Sequence, residues 1–233
     1  MTYVMSDIHG EYSKFIKMLS IINFSDSDTL FILGDMVDRG DKPLEVVLDV
    51  MARPNVFATM GNHELLMLDV LYQLDTEITE ESISKITDTD ILEEFLEWME
   101  NGGKPTLAGY QKLSAEQKEA VLEYLGDLPY YETVDVGDRS FVLVHAGLSG
   151  FDIKKPLLHY TAQELLMDRA DPYRKYYPEK NIYVIWGHTP VLYYHDKPEI
   201  YKSFNNILID CGACFEEGRL ACLCLDDMKE YYI

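Results

Sequence analysis

Short apolar runs recur along the chain, and each gives way to a polar or glycine-rich loop: residues 3–5, 29–33, 55–60, 140–144, 182–186, 206–209 and 219–225. Their brevity and their Val, Ile, Tyr and Phe content predict buried β-strands. Helical patterns separate the early runs. "EYSKFIKMLSII" (11–22) sets Phe15, Met18, Leu19 and Ile22 on one face, and "DKPLEVVLDVMA" (41–52) places Pro43 in a first turn. Strands alternating with helices imply an α/β fold.

The middle reads differently. From Glu64 to about Gly126 nearly every segment is helical, with "ILEEFLEWMENGG" stopped at Gly102 and Gly103. "SAEQ" (114–117) and "TAQE" (161–164) have the form of capping boxes that open helices. "ETVDV" and "SFVLV" flank a "GDR" turn and predict a hairpin. The expectation is a single domain over 1–233 with a helical insertion at about 65–128. Acidic "TEITEES" (76–82) and "ILEEFLE" (91–97) read as a solvated helix face.

Charge narrows the partners. A formal net charge of −21, from 41 acids against 20 bases, repels polynucleotides and anionic membranes. A phosphate-bearing substrate therefore needs a local positive site, and the chain holds only six arginines. No apolar run reaches membrane-spanning length and the N-terminus lacks the pattern of a secretory leader, so a cytoplasmic location is expected. Cys211, Cys214, Cys222 and Cys224 interrupt apolar runs and read as small buried hydrophobes rather than a zinc site or disulfides.

Chemistry collects where the strands end. Phe31, Ile32 and Leu33 run straight into Asp35, Asp38 and Arg39, side chains that are expensive to bury unpaired. Other strand ends lead to Asp7 and His9, to Asn62 and His63, to His145, and to His188. Ligands of open α/β sheets bind beyond the carboxyl ends of strands, so five loops can converge on one place. Asp, Asn and His together suit two divalent ions roughly 3.5–4 Å apart, one carboxylate bridging them. A water between two such ions is acidified and poised for in-line attack on phosphorus. Alone, each piece has a plainer reading: "SDIHG" as a turn, His145 as a core histidine, Asn62 as a helix cap. Their ordered recurrence favours the dinuclear reading.

The set "DIHG", "GDMVDRG", "GNHE", "HAG" and "GHTP" resembles the calcineurin-like metallophosphoesterases, and within them the phosphoprotein phosphatase branch. Length and the "NGGKPTL" stretch (101–107) are similar to bacterial and phage serine/threonine phosphatases and to symmetrical diadenosine tetraphosphate hydrolases. The resemblance implies a four-layer α/β/β/α sandwich of two mixed sheets. It implies Asp7, His9 and Asp35 on one ion, and Asp35, Asn62, His145 and His188 on the other. His63 would be the general acid, with Asp38 orienting its imidazole. Arg39, Asn62 and Arg169 would face the phosphate, Arg39 as a bidentate clamp. Ser6, Met60 and Met167 depart from residues common in the family at those places.

The leading expectation is a phosphomonoesterase acting on phosphoserine or phosphothreonine in peptides or proteins, and on small phosphoesters. Its ions would be Mn²⁺ first, with Fe, Zn²⁺ or Co²⁺ suiting the same donors. The rival enzyme reading is a symmetrical dinucleoside polyphosphate hydrolase. A non-catalytic metal- or phosphate-binding module is the reading from another class, and the presence of His63 and both arginines opposes it. "DPYRKYYPEK" (171–180) is either a substrate-facing wall or, as favoured here, an exposed loop with tyrosines packed on the domain.

Overall fold

Val4 and Met5 are closed to solvent on both faces of their strand, as an unbroken apolar run requires in a sheet covered on each side. In the computed structural model, which describes residues 1–73 and 89–233, that strand is β1 (Thr2–Met5). It pairs in parallel with β2 (Thr29–Ile32), and β2 pairs in parallel with β3 (Val56–Ala58). A hairpin follows, β4 (Tyr131–Val136) and β5 (Arg139–Val144), and then β6 (Ile182–Trp186) beside β5. The short strands β7 (Tyr201–Ser203) and β8 (Asn206–Leu208) complete the second sheet, and β9 (Ala221–Cys224) and β10 (Glu230–Tyr232) return to the first.

The strand orders are β10-β9-β1-β2-β3 and β4-β5-β6-β8-β7. Each sheet is mixed: in one, β9 runs antiparallel to β1 and β10 antiparallel to β9, and in the other, β4 and β7 run antiparallel to their neighbours β5 and β8. This is the α/β architecture of two mixed sheets with helices that the sequence implies. β7 and β10 escape the sequence pattern because both lie at sheet edges and are only partly buried, so neither needs an apolar run.

Helix α1 (Tyr12–Ile21) buries Phe15, Met18 and Leu19, and α2 (Pro43–Met51) begins on its proline. Between β3 and β4 lie α3 (Asn62–Gln73), α4 (Thr89–Glu100), α5 (Lys104–Tyr110) and α6 (Ala115–Gly126). Ser114 and Gln117 cap α6 reciprocally, at 3.2 and 3.0 Å. "TEITEES" lies outside the described residues.

"TAQE" differs. Thr161 and Glu164 do exchange capping bonds, but they open a single π-helical turn, Gln163–Met167, that ends when Asp168 becomes extended. The cysteines are free thiols; Cys211, Cys222 and Cys224 are buried, as small hydrophobes would be. Among the described residues no helix is long and apolar enough to cross a membrane.

Candidate functional site

The loops leaving β1, β2 and β3 of the first sheet meet the loops leaving β5 and β6 of the second. Crowding the chains there bends the backbone: Asp7, His9, Asp35, Asp38, Arg39 and His188 all have φ between 45° and 67°. Such left-handed non-glycine residues cost energy and persist only where neighbours hold them. Here main-chain bonds cross the loops, His9 N–H to the Asp35 carbonyl at 2.8 Å and Gly10 N–H to that of Met36 at 2.9 Å.

Three histidines share one device. His9 and His145 place Nδ1 at 2.9 and 2.7 Å from the carbonyls of Val37 and Leu33, and His188 places Nε2 3.2 Å from that of Met167. A carbonyl only accepts, so each of those nitrogens carries the proton and the opposite nitrogen is bare. The bare atoms converge. His145 Nε2 and His188 Nδ1 each lie 2.9 Å from Asn62 Oδ1, and His9 Nε2 and His145 Nε2 each lie 3.4 Å from an Asp35 oxygen.

Lone pairs facing lone pairs form a donor set that a cation satisfies, with each imidazole already fixed in the ligating tautomer. Asp35 is common to two such groups, one with His9 and His63 and one with His145 and His188, their ligand atoms all within 4.8 Å. Burial drives the pKa of His9 down to about 3 and that of His188 to about 4, and lowers that of His145, so all three stay neutral and able to ligate. Burial works the other way on Asp35 and pushes its carboxyl up; a protonated imidazole beside it pulls it down, and His63, whose own pKa is raised, can supply that charge.

Asp7 stands slightly apart. It accepts the His188 backbone N–H at 3.1 and 3.0 Å and the Ser6 hydroxyl. Burial, then Asp210, then Asp35 push its pKa well up, and burial pushes that of Asp210 to about 7. A cation between these acids would reverse that pressure.

His63 is built otherwise. Its Nδ1 meets a carboxylate, Asp38 Oδ2, at 2.7 Å. Burial opposes its protonation, but Asp35 and Asp38 outweigh burial and raise its pKa. Arg39 crosses the centre, with Nη1 2.8 Å from His9 Nε2 and Nη2 2.9 Å from His63 Nε2. These side chains open into a cleft of about 420 Å³ that also holds Arg169. Every residue singled out from the sequence thus lies at this seam.

Other contributors were not legible. Glu64, quoted only as part of a motif, is wholly buried and accepts the N–H groups of Asp35, Met36, Val37 and Gly61 at 2.7–3.1 Å. Burial and Asp35 push its pKa to about 7, while the N–H groups of Asp35 and Val37 pull it back. The cleft wall is not the 171–180 loop, whose Tyr176 and Tyr177 pack on Phe151 as the plainer reading holds. It is Pro190, Leu192, Tyr193 and Phe215, with the Arg169 guanidinium 5.2 Å from the Tyr193 ring centre. Tyr193 is 67% and Phe215 46% exposed, a property that the sequence around them does not record.

A family model described as "Calcineurin-like phosphoesterase" matches residues 2–212. A bis(5'-nucleosyl)-tetraphosphatase, symmetrical, of Wigglesworthia glossinidia brevipalpis is 33% identical over 58% of this chain and 47% of its own length. The like-named protein of Salmonella paratyphi C is 29% identical over 56% of this chain and 45% of its own. The chain thus matches about half the length of these relatives. Among solved structures, that of a putative diadenosine tetraphosphatase superposes with a TM-score of 0.66 at 18% identity, covering 100% of this chain and 92% of that one. A protein serine/threonine phosphatase from Saccharomyces cerevisiae gives 0.51 at 13% identity, covering 95% and 71%. Both likenesses concern the fold.

Proposed function

The chain belongs to the calcineurin-like phosphoesterase family, and from that premise we propose that it hydrolyses dinucleoside polyphosphates with two divalent ions. One observation carries this reading: the cleft joins two guanidinium groups, Arg39 and Arg169, to an apolar aromatic rim formed by Leu192, Tyr193 and Phe215. Guanidinium groups suit phosphate oxygens, and exposed rings suit a nucleobase face. The sequence relatives, named for acting on such molecules, support the same class.

Asp7, His9, Asp35, Asn62, His145 and His188 would hold the ions, with Mn²⁺ the first assignment for this nitrogen and oxygen donor set. When bound, the pair supplies Lewis acidity toward the phosphoryl oxygens and toward the attacking water. Arg39 turns from the imidazoles to the phosphate, which frees His9 Nε2 and His63 Nε2. Arg169 binds the next phosphate along the chain. His63 delivers a proton from Nε2 to the leaving oxygen while Asp38 keeps Nδ1 in place. Symmetrical hydrolysis of a dinucleoside tetraphosphate consumes one water and yields two nucleoside diphosphates.

A second reading, phosphomonoester hydrolysis of phosphoserine or phosphothreonine, draws on the His63–Asp38 pair. A protein alkoxide is a far poorer leaving group than a diphosphate and gains more from an acid of raised pKa. Diadenosine tetraphosphate and a phosphothreonine peptide, each with Mn²⁺, separate the two. Dinucleotide preference, abolished by chelator and by His63→Asn, supports the first reading. Peptide preference moves the function to the second. Turnover of neither removes both.

A further inference from the structure

Asp38 is wholly buried, and among the described residues three side chains donate to its carboxylate. Oδ2 takes His63 Nδ1 at 2.7 Å. Oδ1 takes the Thr106 hydroxyl at 2.6 Å, and the Trp98 indole N–H lies 3.1 Å from both oxygens. Thr106 Oγ1 also accepts the Asp38 backbone N–H at 2.8 Å, so one hydroxyl grips the residue at both ends. Trp98 and Thr106 are themselves 0% exposed.

The same corner of the chain, where α4 turns into α5, holds Arg39. Its N–H donates to the Gly102 carbonyl at 2.9 Å. Only glycines permit the approach. A Cβ on Gly102, whose φ is +105°, would fall 2.8 Å from Arg39 Cγ, and one on Gly103 would fall 2.6 Å from Trp98 Nε1. Asp38 and Arg39 occupy adjacent left-handed conformations, φ 67° and 66°, that this corner holds down.

We propose that Trp98 and Thr106 are positioning residues that lock Asp38, and through it the His63 imidazole, so that the helices between β3 and β4 complete the proton-delivery apparatus. The inference rests on the phosphohydrolase reading above for its kinetic consequence, but not for its geometry. Asp38 without these donors could rotate about its side-chain bonds and lose the short bond to Nδ1. A proton donor that wanders costs most when the leaving oxygen is basic.

Two measurements on the full chain test it, the first with diamagnetic Zn²⁺ bound and the second with Mn²⁺. The first is proton NMR of the His63 Nδ1–H resonance, assigned by its loss in His63→Asn. The downfield signal shifts or broadens in Thr106→Val and in Trp98→Phe, and returns in Thr106→Ser. The second compares phenyl phosphate with p-nitrophenyl phosphate, which has the less basic leaving group. Thr106→Val lowers kcat at least about tenfold more on phenyl phosphate, with KM changed by less than about twofold, and Thr106→Ser recovers most of the loss. Circular dichroism establishes that each variant is folded. Should Thr106→Val not fold, Trp98→Phe carries both comparisons. An unmoved resonance, or an equal loss on both esters, overturns the proposal. A wild type that turns over no phosphoester or phosphoanhydride overturns the phosphohydrolase reading instead, and the resonance alone then decides the positioning role.

Discussion

Asn62 Oδ1 sits 2.9 Å from both His145 Nε2 and His188 Nδ1, three acceptor atoms with no proton among them. Backbone carbonyls fix both imidazoles in that tautomer, so the arrangement is imposed by the fold. It is the strongest structural argument for a cation here.

Stability should therefore follow the ion. Asp7, Asp35 and Asp210 are packed together and buried, with burial raising the pKa of Asp7 and Asp210. Adding Mn²⁺ at about 100 times its dissociation constant should stabilise the fold by about 2.7 kcal/mol, and chelation should reverse it. Calorimetric unfolding with and without chelator measures this, and an unchanged Tm would count against the ion site.

Substituting His63 by Asn should lower kcat by about 10²–10⁴-fold while Mn²⁺ affinity stays close to wild type, because His63 is tied to a carboxylate and not to a ligand-fixing carbonyl. Titration calorimetry beside steady-state rates checks both halves. A large loss of metal affinity would make His63 a ligand.

The two arginines should separate by substrate. Arg39 reaches the centre of the cleft, whereas Arg169 lies at the aromatic rim beside Tyr193. Arg39→Ala should depress turnover of every phosphate substrate. Arg169→Ala and Tyr193→Ala should raise KM for the dinucleotide by about tenfold, worth about 1.4 kcal/mol, and leave p-nitrophenyl phosphate nearly unaffected. Equal effects on both substrates would remove the rim from substrate recognition.

Glu64→Gln should destabilise the protein by about 1–3 kcal/mol, read as a fall in Tm or in denaturant midpoint. The amide presents N–H donors to the backbone donors of the Asp35 loop that the carboxylate now accepts. A neutral result would mean that the loop is held without Glu64.

Much of this was legible in the sequence for a physical reason. The candidate ligands sit at strand ends, and strand ends are marked by an apolar run breaking into Gly, Asp and His, as at Leu33-Gly34-Asp35. Contacts made by tertiary packing left no such mark. Trp98 reads as one more apolar position on a helix, and only the fold brings its indole N–H to Asp38, 60 residues away. Thr106 and Glu64 likewise meet partners from β2's loop at separations that no local pattern records. The "NGG" glycines were visible as a helix stop, but their contact with Arg39 and Trp98 was not.

The contrast in how the imidazoles are anchored bears on what can change over time. Main-chain carbonyls hold His9, His145 and His188, and every amino acid carries a carbonyl, so drift at Val37, Leu33 or Met167 leaves the cradle's chemistry as it was. His63 depends on side chains alone, Asp38 backed by Trp98 and Thr106. On the proposed assignment, single codon changes at those positions would retune the acid without disturbing the ligands. A lineage could thus adapt one inherited scaffold to leaving groups of different basicity.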